Sequence, residues 1–213
     1  MIKKVIFDLD NTLMDWEEEY IFALTNVINK LNLNYSKEKI KEIDNTLETY
    51  EDNYQMYEKK NFCDYLNKKC NTNLPYEFYD MLMEEQTKCY RMFNEKEIET
   101  LEYLSSKYEL LILSNWVGYT QRKRLENAGI LKYFSKVSGG DERVLKPNLK
   151  AFDIVDNKEE CIMIGDSLNK DILPAIKVGM QAILITKNKT ITDIRENKEY
   201  KQITKLEDLK EKL

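Results

Sequence analysis

Short, unbroken apolar runs that stop at acids or small polar residues constrain this chain more than any other feature. Val5-Ile6-Phe7 runs into Asp8-Leu9-Asp10-Asn11-Thr12. Leu111-Ile112-Leu113 stops at Ser114, and Ile162-Met163-Ile164 runs into Gly165-Asp166-Ser167, with Asp171 about one helical turn further on. Runs of this kind, apolar without alternation, are what strands buried on both faces look like. Helical stretches separate them: one over Ile98, Leu101 and Leu104, one from about Gly118 to Asn127 closed by Gly129, and one from Lys170 to Val178 closed by Gly179. Further strands are expected at Lys136–Ser138 and Gln181–Ile185, with another starting near Ile203. A helix is expected over Leu149–Val155, and a terminal one carries Leu206, Leu209 and Leu213. Repeated strand–helix units predict an α/β fold, a parallel sheet with helices on both faces. In such a sheet the carboxyl ends of the strands converge on one crevice, where residues distant in sequence meet.

One segment interrupts this alternation. Between the first strand and the strand at Glu109 lie about a hundred residues, too many for a loop, and their pattern is helical. Ile21, Leu24, Ile28 and Leu31 recur at spacings of three and four. Ile40, Ile43, Leu47, Tyr50, Tyr54 and Tyr57 form a longer stripe, read here as one amphipathic helix. Phe62, Tyr65 and Leu66 mark a shorter helix. After the Leu74-Pro75 break, another carries Tyr79, Leu82, Gln86 and Tyr90. The expected organisation is a core of residues 1–13 and 94–213 with an all-helical insertion at 14–93. The charged tract Lys187–Lys201 reads as an exposed loop plus a helix.

Composition excludes several classes. A chain of 213 residues with 42% hydrophobic residues can bury a sizeable core. Its net charge of -5 disfavours nonspecific nucleic-acid binding, which wants a basic face. No apolar segment approaches the ~20 residues that span a bilayer. Met1-Ile2-Lys3-Lys4 leads straight into the first strand with no separate signal region. The expected location is therefore cytoplasmic, with Cys63, Cys70, Cys89 and Cys161 reduced and serving as packing residues. The chain contains no histidine. Ser-His and Cys-His nucleophile systems and His-ligated metal sites are thereby ruled out, and any general acid or base must be Asp, Glu, Lys, Tyr or Cys.

The strand-end acids suit phosphoryl chemistry. A carboxylate at Asp8 or Asp10 can attack phosphorus to give an acyl phosphate. A second carboxyl nearby can protonate the departing alcohol and then take a proton from water. The plain alternative is a pair of turn-forming acids capping the next helix. Asp166 and Asp171 weigh against it, since four acids in one crevice would repel a phosphate unless a cation were present. Magnesium prefers oxygen ligands and needs only one or two direct carboxylates. Asp8 and Asp166 can supply them, with a backbone carbonyl near Asp10. Asp171 is placed to orient waters or Lys146, its alternative being a helix cap near Lys170. Lys146 adds fixed positive charge, and Ser114 with backbone N–H groups at Asn115 can bind phosphate oxygens.

Taken in order, these residues resemble the haloacid dehalogenase superfamily of phosphohydrolases. Phe7-Asp8-Leu9-Asp10-Asn11-Thr12-Leu13 looks like its first motif and Leu113-Ser114-Asn115 like its second. Lys146-Pro147 looks like the third, and Gly165-Asp166-Ser167 with Asp171 like the fourth. The resemblance implies a Rossmann-like core, Asp8 as nucleophile, Asp10 as acid/base, and Mg2+ held by Asp8, Asp166 and the Asp10 carbonyl. It makes the helical insertion a cap of the first type, a lid over the site. Dehalogenases proper of this superfamily lack an acid at the position of Asp10, so Asp10 argues for phosphoryl transfer. The expected activity is a Mg2+-dependent phosphatase acting on a small phosphorylated metabolite: a nucleoside monophosphate, phosphoglycolate or a sugar phosphate. A phosphomutase, a phosphonatase and a noncatalytic phosphate-binding module are the competing readings.

Around the motifs, Trp116 follows Ser114-Asn115 in the loop expected to face the ester; it either lines the substrate pocket or packs beneath the insertion. Tyr50, Tyr54 and Tyr57 fit a core stripe better than a pocket wall. Trp16 is a candidate hinge anchor, and Arg143 reads as a surface arginine.

Overall fold

The computed structural model describes residues 1–15, 17–187 and 199–213. Trp16 and most of the tract expected between Lys187 and Lys201 lie outside them. Among the described residues, six strands form one parallel sheet: β1 (Lys4–Phe7), β2 (Glu109–Leu113), β3 (Lys136–Ser138), β4 (Cys161–Gly165), β5 (Gln181–Ile185) and β6 (Lys201–Ile203). Their spatial order is β3-β2-β1-β4-β5-β6. The chain winds outward from β1 first to one side and then to the other, so β1 is flanked by β2 and β4. That reversal opens a crevice beyond the carboxyl end of β1. The expected last strand was placed to start at Ile203; it ends there instead.

Alternation along the strands divides the core. Val5 and Phe7 pack on one face with Ile112, Leu101, Leu104 and Leu125. Ile6 packs on the other with Leu111, Met163, Phe152 and Ala175. The helices that bring these residues are α5 (Glu95–Lys107), α6 (Gly118–Asn127) and α7 (Leu173–Lys177), with a terminal α8 (Leu209–Lys212). Helix α5 starts at a full capping box, Asn94 accepting from the Glu97 N–H while Glu97 accepts from the Asn94 N–H.

The helical insertion comprises α1 (Glu17–Lys30), α2 (Lys37–Glu48), α3 (Lys59–Cys70) and α4 (Glu77–Gln86). Their buried faces share one apolar cluster that also takes in Trp116, Val117 and Leu145 from the sheet domain. The single long helix expected over Ile40–Tyr57 is broken. Helix α2 stops at Glu48, and Tyr50–Asp52 is a tight 3-10 turn. At the break, Thr49 and Asn53 give side-chain hydrogen bonds to nearby carbonyls, Thr46 O and Thr49 O, which compete with helical continuation. Tyr50 is fully buried and stacks on Tyr54 and Tyr57 at 4.6 and 4.8 Å, so the aromatic stripe packs within the insertion, while Tyr57 also reaches a cavity wall. Tyr90 falls beyond the end of α4. Leu149–Phe152 makes a 3-10 turn where a helix to Val155 was expected. The helix expected from Lys170 is a wide π-turn, Leu168–Ile172, running into the short α7.

All four cysteines are free and buried. Among the described residues, no helix is long and apolar enough to cross a membrane. Arg143 is not a free surface group: its guanidinium donates to Ser138 Oγ and the Ala151 carbonyl, bracing the end of β3.

Candidate active site

The sheet register sets the site. Phe7 lies level with Ile112 on β2 and Ile164 on β4, so Asp8, Ser114 and Asp166 leave the sheet close together. The Asp8 N–H still donates to the Ile164 carbonyl at 2.9 Å, which ties the acid to β4. Beyond it the chain folds back. Leu13 and Met14 both donate to the Leu9 carbonyl, and Asn11 takes a left-handed φ of 61°. This turn returns Thr12, whose hydroxyl lies 3.1 Å from Asp8 Oδ2 and 3.4 Å from Asp166 Oδ1.

Lys146 is almost fully buried. Its Nζ donates to Asp8 Oδ1 at 2.7 Å and to Asp171 Oδ1 at 2.6 Å. The Asn115 side chain holds the lysine's backbone from both sides, accepting from Lys146 N–H and donating to Lys146 C=O, each at 2.8 Å. It therefore serves this loop, and the phosphate contact expected at Asn115 concerned its backbone N–H. Asp171 sits inside the π-turn. The cap of that turn is Ser167, which accepts from the Lys170 N–H, so the alternative of Asp171 as a helix cap does not hold. Asp171 instead accepts from Ser167 N–H and Lys146. Gly165 makes room for it: a Cβ there would stand 2.4 Å from the Asp171 carboxyl.

Asp10 turns to other partners. Its Oδ1 accepts from Arg124 Nη1 at 2.5 Å and its Oδ2 from Gln121 Nε2 at 2.6 Å. Gln121 also donates to Ser114 Oγ at 2.7 Å. Gln121, Arg124 and Thr12 were not singled out from the sequence as site residues in their own right. The first two lie in the largely hydrophilic helix α6, yet both are fully buried.

Burial raises the Asp8 carboxyl to about 8; Lys146 opposes the rise, and Asp171, Asp10 and Asp166 add to it. Asp166 is raised as well, by burial and then by Asp171. Burial works against the charge on Lys146, yet Asp171 and Asp8 push it above the usual lysine range. The crevice thus holds more negative charge than its buried cations balance. Carboxylate oxygens of Asp8, Asp166 and Asp171 all lie within 4.8 Å of one another. An all-oxygen donor set with surplus negative charge fits a hard divalent cation.

Asp8, Asp10, Ser114, Asn115, Trp116, Lys146, Asp166 and Asp171 all line one cavity of about 470 Å3. Its opposite wall comes from the insertion, through Leu47, Glu48, Glu51 and Tyr57. Glu51 Oε2 accepts from Asn115 Nδ2 and Lys170 Nζ, both at 2.8 Å. Trp116 has a place in both the cavity wall and the packing beneath the insertion. It edges the cavity, yet it is buried, donates to Gln86 Oε1 and packs on Tyr57.

Residues 5–185 match the family model of haloacid dehalogenase-like hydrolases. The chain is 27% identical over 214 aligned positions to N-acylneuraminate-9-phosphatase of Homo sapiens, covering 88% of this chain and 84% of that protein. In structure it is similar to the magnesium-bound HAD-hydrolase YfnB of Bacillus subtilis, with a TM-score of 0.76 and 19% identity over 99% of this chain and 97% of that one. It is also similar to a HAD phosphatase from Thermococcus onnurineus, with a TM-score of 0.65 and 26% identity at the same coverage.

Proposed function

The chain belongs to the haloacid dehalogenase-like hydrolase family, and from that premise we propose that it is a Mg2+-dependent phosphatase of a small phosphomonoester. The observation that carries this reading is the pairing of buried Asp8 with Lys146 at the end of the central strand, beside Asp166 and Asp171. Phosphatase names among its relatives support the hydrolase class. The cavity volume and the polar groups Glu48 and Glu51 opposite the acids support a hydroxyl-bearing leaving group such as a sugar or nucleoside.

Asp8 and Asp166, with the Asp10 carbonyl, would hold Mg2+, and such an ion supplies neutralising charge to the phosphoryl oxygens. Lys146 and Ser114 bind and orient the same oxygens. An Asp8 carboxylate oxygen forms a bond to phosphorus as the ester P–O bond breaks. The electron pair of that bond goes to the leaving oxygen, which takes a proton from Asp10. Water then gives its proton to Asp10 as it attacks the aspartyl phosphate, releasing inorganic phosphate and the Asp8 carboxylate. The helical insertion acts as the cap that keeps bulk water from this intermediate.

Release of phosphate from p-nitrophenyl phosphate and a panel of phosphorylated metabolites tests the reading. Asp8→Asn should lower turnover on the order of 10⁴-fold or more while the protein stays folded. EDTA should silence the wild type and Mg2+ restore it. Near-wild-type turnover by Asp8→Asn, or full activity in chelator, would overturn the scheme. An isomerised sugar phosphate as product would indicate a mutase, and an aldehyde from a phosphonate a phosphonatase.

A further inference from the structure

A single buried amide joins two groups to which the proposed reaction gives separate tasks. Gln121 stands on α6 with no exposed surface. Its Nε2 donates one proton to Asp10 Oδ2 at 2.6 Å and the other to Ser114 Oγ at 2.7 Å. Its Oε1 accepts from Arg124 Nη1 at 2.8 Å. The amide has only one workable orientation. Flipped, its oxygen would face the Asp10 carboxylate and its N–H groups would face a guanidinium, which only donates. Arg124 therefore dictates which way Gln121 points. Arg124 is itself fixed, its Nε donating to the Cys89 carbonyl at 2.5 Å and its Nη1 to Asp10 Oδ1 at 2.5 Å.

The consequence for Ser114 follows from counting. A hydroxyl has two acceptor positions and one proton. Ser114 Oγ accepts from Gln121 and, at 3.1 Å, from the Trp116 N–H. Both acceptor positions are filled, so its O–H proton is left to be given away, and the residue lines the cavity. For Asp10, Gln121 and Arg124 take one oxygen each, which fixes the plane of the carboxyl and leaves an acceptor position on Oδ2.

We propose that Gln121, oriented by Arg124, is a positioning residue of the reaction: one amide sets the Asp10 carboxyl for proton transfer to the leaving group and turns the Ser114 hydroxyl into a donor to the phosphoryl group. This rests on the phosphatase reading above.

The test uses leaving-group dependence in the full chain with Mg2+. p-Nitrophenolate departs with little help from an acid, whereas an alkoxide needs its proton. Single-turnover release of alcohol is measured from p-nitrophenyl phosphate and from a simple alkyl phosphate, for the wild type, Asp10→Asn, Gln121→Met and the double variant. Gln121→Met should lose about ten- to a hundredfold on the alkyl ester, and at least about tenfold less on the aryl ester. Its inhibition by inorganic phosphate should weaken several-fold through Ser114. On the alkyl ester the double variant should be no slower than Asp10→Asn by more than that phosphate-binding loss, because the two act as a unit. Gln121→Leu removes the same donors with a side chain of similar bulk; it should show the same pattern, and it stands in if the methionine variant does not fold. Equal losses on both esters, or losses that multiply in the double variant, would overturn the inference while leaving the phosphatase reading intact. A wild type that hydrolyses neither ester would overturn the reading on which it rests.

Discussion

Gly165 shows how closely the site is packed at the level of one atom. It ends β4, and the Asp171 carboxyl fills the space where a side chain would be. Gly165→Ala must displace that carboxyl, and with it the Lys146 ammonium that bridges Asp171 and Asp8. Overpacking of this kind costs about 1–3 kcal/mol, measurable by urea denaturation. A fall of about tenfold or more in kcat/KM should accompany it, since small misplacements of reacting groups are expensive. An alanine variant with wild-type stability and activity would show that Asp171 has room to spare. Asp8, Asp10, Ser114, Lys146, Asp166 and Asp171 were legible because they stand in motifs that follow predicted strands, where a polar residue at the end of an apolar run has no packing reason to be. Gln121, Arg124 and Glu51 were not. Each sits in a hydrophilic stretch, and only the docking of the insertion against α6 and the Ser114 loop turns those side chains inward. Thr12 was visible within its motif, but its bridge between Asp8 and Asp166 depends on a backbone turn that no spacing rule specifies.

Among the elements, the insertion holds together partly by a buried acid. Glu85 on α4 accepts from Lys30 Nζ at 2.5 Å, from Lys88 Nζ at 2.9 Å and from Asn26 Nδ2 at 3.2 Å, linking α4 to α1. The Lys30 hydrogen bond, against opposition from burial and with help from Lys88 and Asn26, lowers its pKa from 4.5 to about 2. A folded-state pKa below the unfolded one means the unfolded chain binds more protons between those values, so stability rises with pH there. The contribution is complete above about 4.5 and disappears as pH falls through about 2. Both lysines are exposed, and allowing for water screening leaves about 1–2 kcal/mol. Glu85→Gln should therefore be less stable than the wild type at pH 7, with denaturation midpoints converging toward pH 2. A gap that stays constant across that range would mean charge is not what Glu85 contributes. The helix expected over Ile40–Tyr57 also divides at this level. The apolar period continues past Glu48, but the backbone leaves the helix at Thr49, where the Thr49 and Asn53 side chains compete for nearby carbonyls. Periodicity located the buried face correctly and could not locate the break.

For the whole molecule, the proposed lid role turns on how the insertion meets the sheet domain. At the rim the contacts are polar. Tyr57 N–H donates to the Gly140 carbonyl and Leu145 N–H to the Gln55 carbonyl, each at 2.9 Å. Glu51 draws Asn115 and Lys170 together across the cavity mouth. In the proposed lid role, substrate entry parts such contacts and catalysis closes them again. The Glu51–Lys170 pair is one that charge can tune, because the lysine is about half exposed. A rim pair of this kind contributes about 0.2–1 kcal/mol, too little to hold the insertion shut and enough to bias it. Lys170→Ala should therefore lower kcat/KM by about two- to fivefold, with the fold intact. Salt should act on the same balance, since at 1 M the screening length falls to about 3 Å. Wild-type kcat/KM should then approach that of the variant, while the variant changes less. Steady-state kinetics of both proteins at low and high salt separate the possibilities. A difference that survives 1 M salt would mean Lys170 meets the substrate directly, and no difference at low salt would mean the pair does not govern closure.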